Sequence, residues 1–138
     1  MKLSKLVMDC CRGSRLLMGR FVSEATPRPY NQLRLLQLIQ EGEVRSQTAL
    51  AERLFLDPPA VSRAVDKLES DGLLRRSEGS DRRCVKLEAT ELAPAELEHF
   101  DAALSRLDKI IARHLDESER ADLRRLLGRL DEGLRSET

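Results

Sequence analysis

In the run PPAVSRAVDKLES, residues 58–70, Arg63 stands beside Ser62, with Pro59 and Ala60 about one helical turn earlier. Presented on one face of a helix, these residue types suit the edges of base pairs. A guanidinium chelates the O6 and N7 acceptors of guanine, a hydroxyl bonds a base or a phosphate, and small apolar groups pack on a thymine methyl. A second pair, Arg82 and Arg83, follows Asp81. Adjacent arginines on a protruding loop suit a narrow, A·T-rich minor groove, and the aspartate is placed to brace one of them. Ser46, Gln47, Thr48, Arg75, Arg76 and Lys86 carry donors of the kind that hold phosphates, fixing register without reading sequence. For Arg75, Arg76 and Lys86 the plainer alternative is a solvated surface charge.

For Arg63 to face outward, its helix has to bury the opposite side. Apolar residues fall at Leu50, Ala51, Leu54, Leu56, Val61, Ala64, Val65 and Leu68, the spacing that two short helices need to share one core. Asp57 is an N-cap residue type, and Pro58 and Pro59 fit a first turn. A second helix is therefore expected from Pro58, after a turn over residues 55–57. At about 100° per residue, Val61, Ala64, Val65 and Leu68 point inward. The same rotation turns Pro59, Ser62, Arg63, Asp66 and Ser70 outward, with Asp66 expected to orient Arg63. Gly72 suits a helix stop, and LLRRSEG and CVKLEA read as strands joined by turn chemistry at Gly79, Ser80 and Asp81. Helix, turn, helix and hairpin in that order make a winged helix-turn-helix.

The runs LAERL, AVSRAVDKLESDGLLRR and DRRCVKLEAT resemble the MarR family of bacterial transcription regulators. The resemblance is close over residues 47–90 and extends to the flanking helices in pattern only. Its most specific part is the DRR of the wing followed by a strand and Thr90. Two positions depart from the family pattern: Phe55 where a small turn residue, often Gly, is usual, and Ala89 where a leucine usually precedes the threonine. Neither lies on the outward face of the second helix, so they bear on packing. The resemblance implies a dimer with intertwined terminal helices that binds double-stranded DNA at a pseudo-palindromic operator, as a repressor released by an effector. Effector pockets in this family lie between the dimer helices and the winged domain, which by analogy makes Arg12, Arg15, Tyr30, Leu33 and Leu36 bordering residues.

The terminal segments carry the dimer argument without the resemblance. Leu3, Leu6, Val7, Cys10, Leu17, Met18 and Phe21 share one helical stripe; Leu97, Phe100, Leu104, Leu107, Ile111 and His114 repeat at three and four, a seam suited to another helix. Asp116 and Glu119 form a capping box that opens a last helix with Leu123, Leu126, Leu127, Leu130 and Leu134. Pro94 is awkward inside a helix, so the long one is expected to begin near Ala93. With no sheet large enough to cover these stripes, burial against a second copy is expected, giving a homodimer; the alternative is a monomeric three-helix bundle on the wing domain. The fold class is mainly α with a small β-wing, one domain over residues 1–138. Residues 1–25 and 92–138 form dimerisation helices around a winged region at 30–90, whose first helix follows the prolines of 26–31 and stops at Gly42, with Val44 and Arg45 able to add a minimal third strand.

Composition sets the outer limits. In 138 residues there are three Phe, one Tyr and no Trp, so the core has to be aliphatic. The formal net charge is zero, which argues against a generic polyanion binder and leaves a winged helix that binds protein instead of DNA as the alternative function. Charge is unevenly spread: residues 1–43 carry seven bases and four acids, 44–90 nine and eight, and 91–138 eight and twelve, so the acidic end is not expected to face DNA. No apolar run reaches the roughly 20 residues of a membrane span, and a cytoplasmic protein is expected. An enzyme is not expected: no GxSxG, HExxH, P-loop or Gly-rich nucleotide fingerprint is present. His99 and His114 would lie roughly 22 Å apart along one helix, too far to share a metal.

Three cysteines, two of them adjacent, do not make a secreted disulfide framework. Cys10 within its stripe reads first as a small buried hydrophobe, with Cys11 turned toward the edge beside Arg12. Basic surroundings such as Arg12 and Arg15 suit a reactive thiol, so Cys10, Cys11 and the wing's Cys84 are candidates for an oxidant or a soft metal ion. Adjacent cysteines in one helix cannot bridge without strain, so a disulfide would link subunits or recruit Cys84. The resemblance adds that some branches of the family sense hydroperoxides through a first-helix cysteine, although their companion tyrosines have no counterpart here beyond Tyr30. No cofactor is required.

Overall fold

The second helix of the pair starts where a cap and two prolines put it. In a computed structural model describing residues 1–78 and 85–137, α4 spans Pro58–Ser70 and the Asp57 carboxylate accepts the Ala60 N–H at 2.7 Å. The prolines occupy the first turn, where no N–H is missed. Before it, α3 (Gln47–Leu54) is capped by Ser46, whose hydroxyl accepts the Ala49 N–H at 3.2 Å. The turn between them places Phe55 at φ 54 and ψ 42, the left-handed region. Beyond the Asp71 cap the chain leaves α4 through Gly72, φ +77, with the Leu73 N–H returning to the Leu68 carbonyl.

Hydrophobic burial then locks the pair together. Val61, Val65 and Leu68 of α4 and Leu50 of α3 have no exposed surface, and each such side chain contributes roughly 1.5–3 kcal/mol relative to exposure. They pack with α2 (Tyr30–Gln40), whose Leu33, Leu35, Leu36 and Leu38 are fully buried. The core is aliphatic, as the composition requires. Strands β1 (Leu74–Glu78) and β2 (Val85–Ala89) pair antiparallel with Leu74 opposite Ala89 and Arg76 opposite Leu87. The expected third strand at Val44 and Arg45 does not form: the link is a single bond from the Leu87 N–H to the Arg45 carbonyl, 2.8 Å. Thr90 closes the hairpin onto α4, its hydroxyl donating to the Gly72 carbonyl at 2.6 Å and its N–H to the Leu73 carbonyl.

The long helices are α1 (Leu3–Ala25), α5 (Ala93–His114) and α6 (Glu117–Glu137). Regular structure in α5 begins at Ala93, so Pro94 falls in the first turn, where it is tolerated. The capping box at the start of α6 is reciprocal, with Asp116 accepting the Glu119 N–H at 2.8 Å and Glu119 the Asp116 N–H at 3.0 Å. The chain forms two compact units, residues 1–103 and 104–138. Among the described residues, no helix is long and apolar enough to cross a membrane.

Cys10 corrects an expectation. It and Cys11 are both exposed in the chain, as are Leu3, Leu6, Met8 and Leu16 on the same helix. The buried part of α1 is its last third, at Met18, Phe21 and Val22. The apolar spacing is present along α1, but its first half is not buried among the described residues.

Candidate nucleic-acid interface

With its apolar stripe buried, α4 turns Pro59, Arg63, Asp66 and Ser70 to solvent, and leaves Ala60 and Ser62 half-buried. Arg63 makes no hydrogen bond or ion pair with any described residue, so its five donors are free for a ligand. The expected Asp66–Arg63 bracing does not occur. Asp66 instead accepts from Arg76 of β1 at 2.6 Å, and the same guanidinium reaches Glu69 at 2.7 Å and Gln47 of α3 at 3.2 Å. The Asp66 hydrogen bond, with Glu69 adding to it, raises the Arg76 guanidinium above its ordinary value against the opposing pull of burial.

Strand alternation accounts for this link. Leu74 and Arg76 are two residues apart and share a face of β1, so a buried Leu74 aims Arg76 at α4. Arg76 and Gln47 are thus tied to each other and to α4, and serve as braces more than as free phosphate donors. Two acids that would repel a phosphate backbone are neutralised from behind. Ser46 spends its acceptor on the α3 cap while its O–H remains free to donate; Thr48 and Lys86 are exposed. Arg75 meets Glu91 at 3.4 Å with both side chains largely in water, a pairing worth little. Asp81, Arg82, Arg83 and Cys84 lie outside the described residues.

The effector candidates separate by burial. Leu33 and Leu36 have no exposed surface and belong to the core of the winged unit. Arg15 stacks over the Tyr30 ring at 3.5 Å from its centroid and donates to Asn31 at 2.9 Å, while Tyr30 leans on Phe100 at 5.6 Å. Arg12 is exposed on α1. Clefts of about 340 Å³ between α2 and β2, and about 300 Å³ beside the 26–29 segment, are lined by other residues. Among the described residues no group of three or more His, Cys, Asp or Glu could hold a metal ion.

One ion cluster escaped the sequence reading. Arg28, in the proline segment between α1 and α2, reaches Glu96 of α5 at 2.6 Å, Asp71 at the end of α4 at 3.0 Å and Gln32 at 2.9 Å. Burial pulls the Arg28 guanidinium down, but the bonds to Glu96 and Asp71 outweigh it and leave it raised. The Arg28 bond, with help from Lys67, holds the Asp71 carboxyl below its ordinary value. The residues are 68 positions apart at the extremes, and no local pattern announces such a contact.

Residues 29–85, which contain α2, the helix pair and β1, match the MarR family. The chain belongs to the MarR family. A protein of Thauera aromatica, whose name assigns it to transcriptional regulation of the hcr operon, is 33% identical over 97 residues, covering 70% of this chain. The chain spans 58% of that relative's length. Among solved structures, the transcriptional regulator BldR of Sulfolobus solfataricus is 29% identical, with 92% of this chain and 93% of that one covered at a TM-score of 0.72. Wild-type MarR from E. coli, in its apo form, aligns over 94% of this chain and 96% of its own at a TM-score of 0.78. At 22% identity that likeness shows the fold. In this MarR-family chain the departure at Phe55 is accommodated by a left-handed backbone at the turn, the conformation a glycine adopts most easily.

Proposed function

We infer that this MarR-family chain is a sequence-specific regulator that binds double-stranded DNA as a homodimer, acts as a repressor and is released by an effector. The observation that carries the reading is the outward face of α4, where an unpartnered Arg63 stands with Ser62, Ala60 and Pro59 over a fully buried stripe. In a two-fold dimer the two α4 helices read half-sites one DNA turn, roughly 34–36 Å, apart. Arg63 reads a guanine, Ser62 bonds a base or phosphate, and Arg82 and Arg83 enter the flanking minor groove. Thr48, Lys86 and the Ser46 hydroxyl hold phosphates. Exposed Leu126, Leu127, Leu130 and Leu134 on α6, and Leu3, Leu6 and Leu16 on α1, support dimerisation, since apolar rows of that length are otherwise left in water.

For the effector, the exposure of both Cys10 and Cys11 favours thiol oxidation or a soft metal bridging two copies. A small molecule beside Arg15 and Tyr30 is the other route. Selection from a random duplex pool, followed by gel shifts at low and high salt, tests the core of the proposal. A palindromic site with half-sites one turn apart and a steep loss of affinity with salt is expected. No enriched sequence, with binding to protein partners only, would assign the fold to protein interaction. Replacing Arg82 and Arg83 by alanine should weaken binding and dull the preference for A·T at the flanks; a change in salt slope alone would make the wing a phosphate clamp.

A further inference from the structure

Phe55 sits in the turn between α3 and α4 at φ 54, the only non-glycine with positive φ among the described residues, and its side chain is 87% exposed. Both facts are unfavourable for stability. A bulky L-residue in the left-handed region is strained by its Cβ, and an exposed phenyl ring recovers none of that by burial. Among the described residues the ring is left almost wholly exposed, whereas glycine would take the same backbone without strain. Backbone strain of this kind is found where function over-determines the local structure.

The place of the ring suggests its use. Phe55 lies two residues before Asp57, whose carboxylate caps α4, and so at the helix end that carries Pro59, Ala60 and Ser62. The N-terminal end of a recognition helix is the part that enters the major groove. Its neighbours are held firmly: the Leu56 N–H bonds the Ala51 carbonyl at 3.1 Å and Asp57 bonds Ala60, so the ring stands on a fixed turn. An aromatic side chain loses little entropy when it docks, and its apolar face matches a thymine methyl or the face of a deoxyribose.

We propose that Phe55 is an additional DNA-contacting residue, an apolar wedge against the groove edge beside the bases read by α4, and that it sets a preference for thymine there. The proposal rests on the reading of α4 as the recognition helix. The ring stands in the turn that leads into the α4 end carrying Pro59 and Ala60, and the contact adds affinity without neutralising a phosphate.

The test uses the full chain and the duplex that the parent enriches from a random pool. Phe55→Gly and Phe55→Asn, both compatible with a left-handed backbone, should bind that duplex roughly five- to tenfold more weakly, on the scale of one good base contact. The slope of affinity against salt should stay as in the parent, because no phosphate contact is lost. Thermal midpoints should be equal to the parent's or higher, and Phe55→Tyr should retain most of the affinity. Replacing thymine by deoxyuridine at the flanking position should weaken the parent and leave Phe55→Gly unaffected if the methyl is the partner; loss in the parent without that effect assigns the ring to the sugar. Parent-like affinity in both the Gly and Asn variants overturns the proposal, also if those variants lose regulation in a transcription assay, which would give the ring to a protein partner. If the parent enriches no duplex, the reading of α4 fails first and the wedge with it.

Discussion

Helices α4 and α6 are both amphipathic and both carry aliphatic residues at helical spacing, yet one closes its apolar row into a core and the other leaves its own about half exposed. Val61, Val65 and Leu68 of α4 have no exposed surface, while Leu126, Leu127, Leu130 and Leu134 of α6 are 49%, 52%, 39% and 55% exposed. The difference lies in what faces them. Within its unit α4 packs on α2, α3 and β1, which together make a closed aliphatic core. No residue of α6 is buried. Patterning therefore states that a face wants burial, and the rest of the chain decides whether the burial is internal. The outward face of α4 is held firmly because its back is buried within its own unit, whereas the stripe of α6 has no such cover in its own.

The largest expected effects separate those two cases. Val65→Asp places a charge where no partner and no water can reach it, at a cost of several kcal/mol, and should unfold residues 1–103 at any protein concentration, read as loss of helical circular dichroism. Leu127→Asp places the same charge on a half-exposed stripe. It should convert the parent dimer to a monomer in sedimentation and abolish operator binding, with circular dichroism less affected than by Val65→Asp. A parent that sediments as a folded monomer at micromolar concentration would break the comparison, since the α6 stripe would then be stable in water.

Next in size are the substitutions on the polar face. Arg63→Ala should cost roughly 1–3 kcal/mol on the best site and relax preference at one base pair in each half-site; equal selectivity in parent and variant would remove α4 as the reader. Arg76→Ala should cost about 1 kcal/mol or less, the scale of a partly exposed ion pair. Its loss arises differently, because Asp66 and Glu69 are left facing the phosphates unneutralised. The deficit should therefore be greatest at low salt and shrink as salt rises, where the two carboxylates are screened. An Arg76→Ala deficit independent of salt would mean that Arg76 acts only by holding the wing.

Much of this architecture was legible in the sequence because it is local. The Asp57 cap, Pro58 and Pro59, the Gly72 stop, the Asp116–Glu119 capping box and the start of α5 each follow from a few neighbouring residues. The stripe of α4 was legible for the same reason, and so was the identity of its outward face. What was not legible depends on partners distant in sequence. Asp66 was assigned to Arg63, its neighbour on the helix, whereas the strand register brings Arg76 closer. Cys10 falls on an apolar stripe by spacing, yet that part of α1 is exposed among the described residues. The Arg28 cluster needs the α1–α2 linker, the end of α4 and the start of α5 to meet, which only the tertiary fold determines.

That cluster gives the smallest and most specific expectation. Where α4 is held along its length by packing, its C-terminal end is held by charge, through Asp71 to Arg28 and from there to Glu96. Arg28 lowers the Asp71 carboxyl from its ordinary value of 3.8, so the folded state binds this proton less readily than the unfolded chain does. A depressed folded value means that the stabilisation is fully present above the unfolded value and is lost as pH falls through the folded one. Parent stability should accordingly be flat from neutral pH down to about pH 5 and decline below about pH 4. Asp71→Asn, which keeps the shape and removes the charge, should be slightly less stable at neutral pH and decline less steeply in acid. The two thermal-midpoint curves should approach each other as Asp71 becomes protonated in the parent. Parallel curves from pH 7 to pH 3 would show that Arg28 is secured by Glu96 alone and that the end of α4, like its middle, depends on packing.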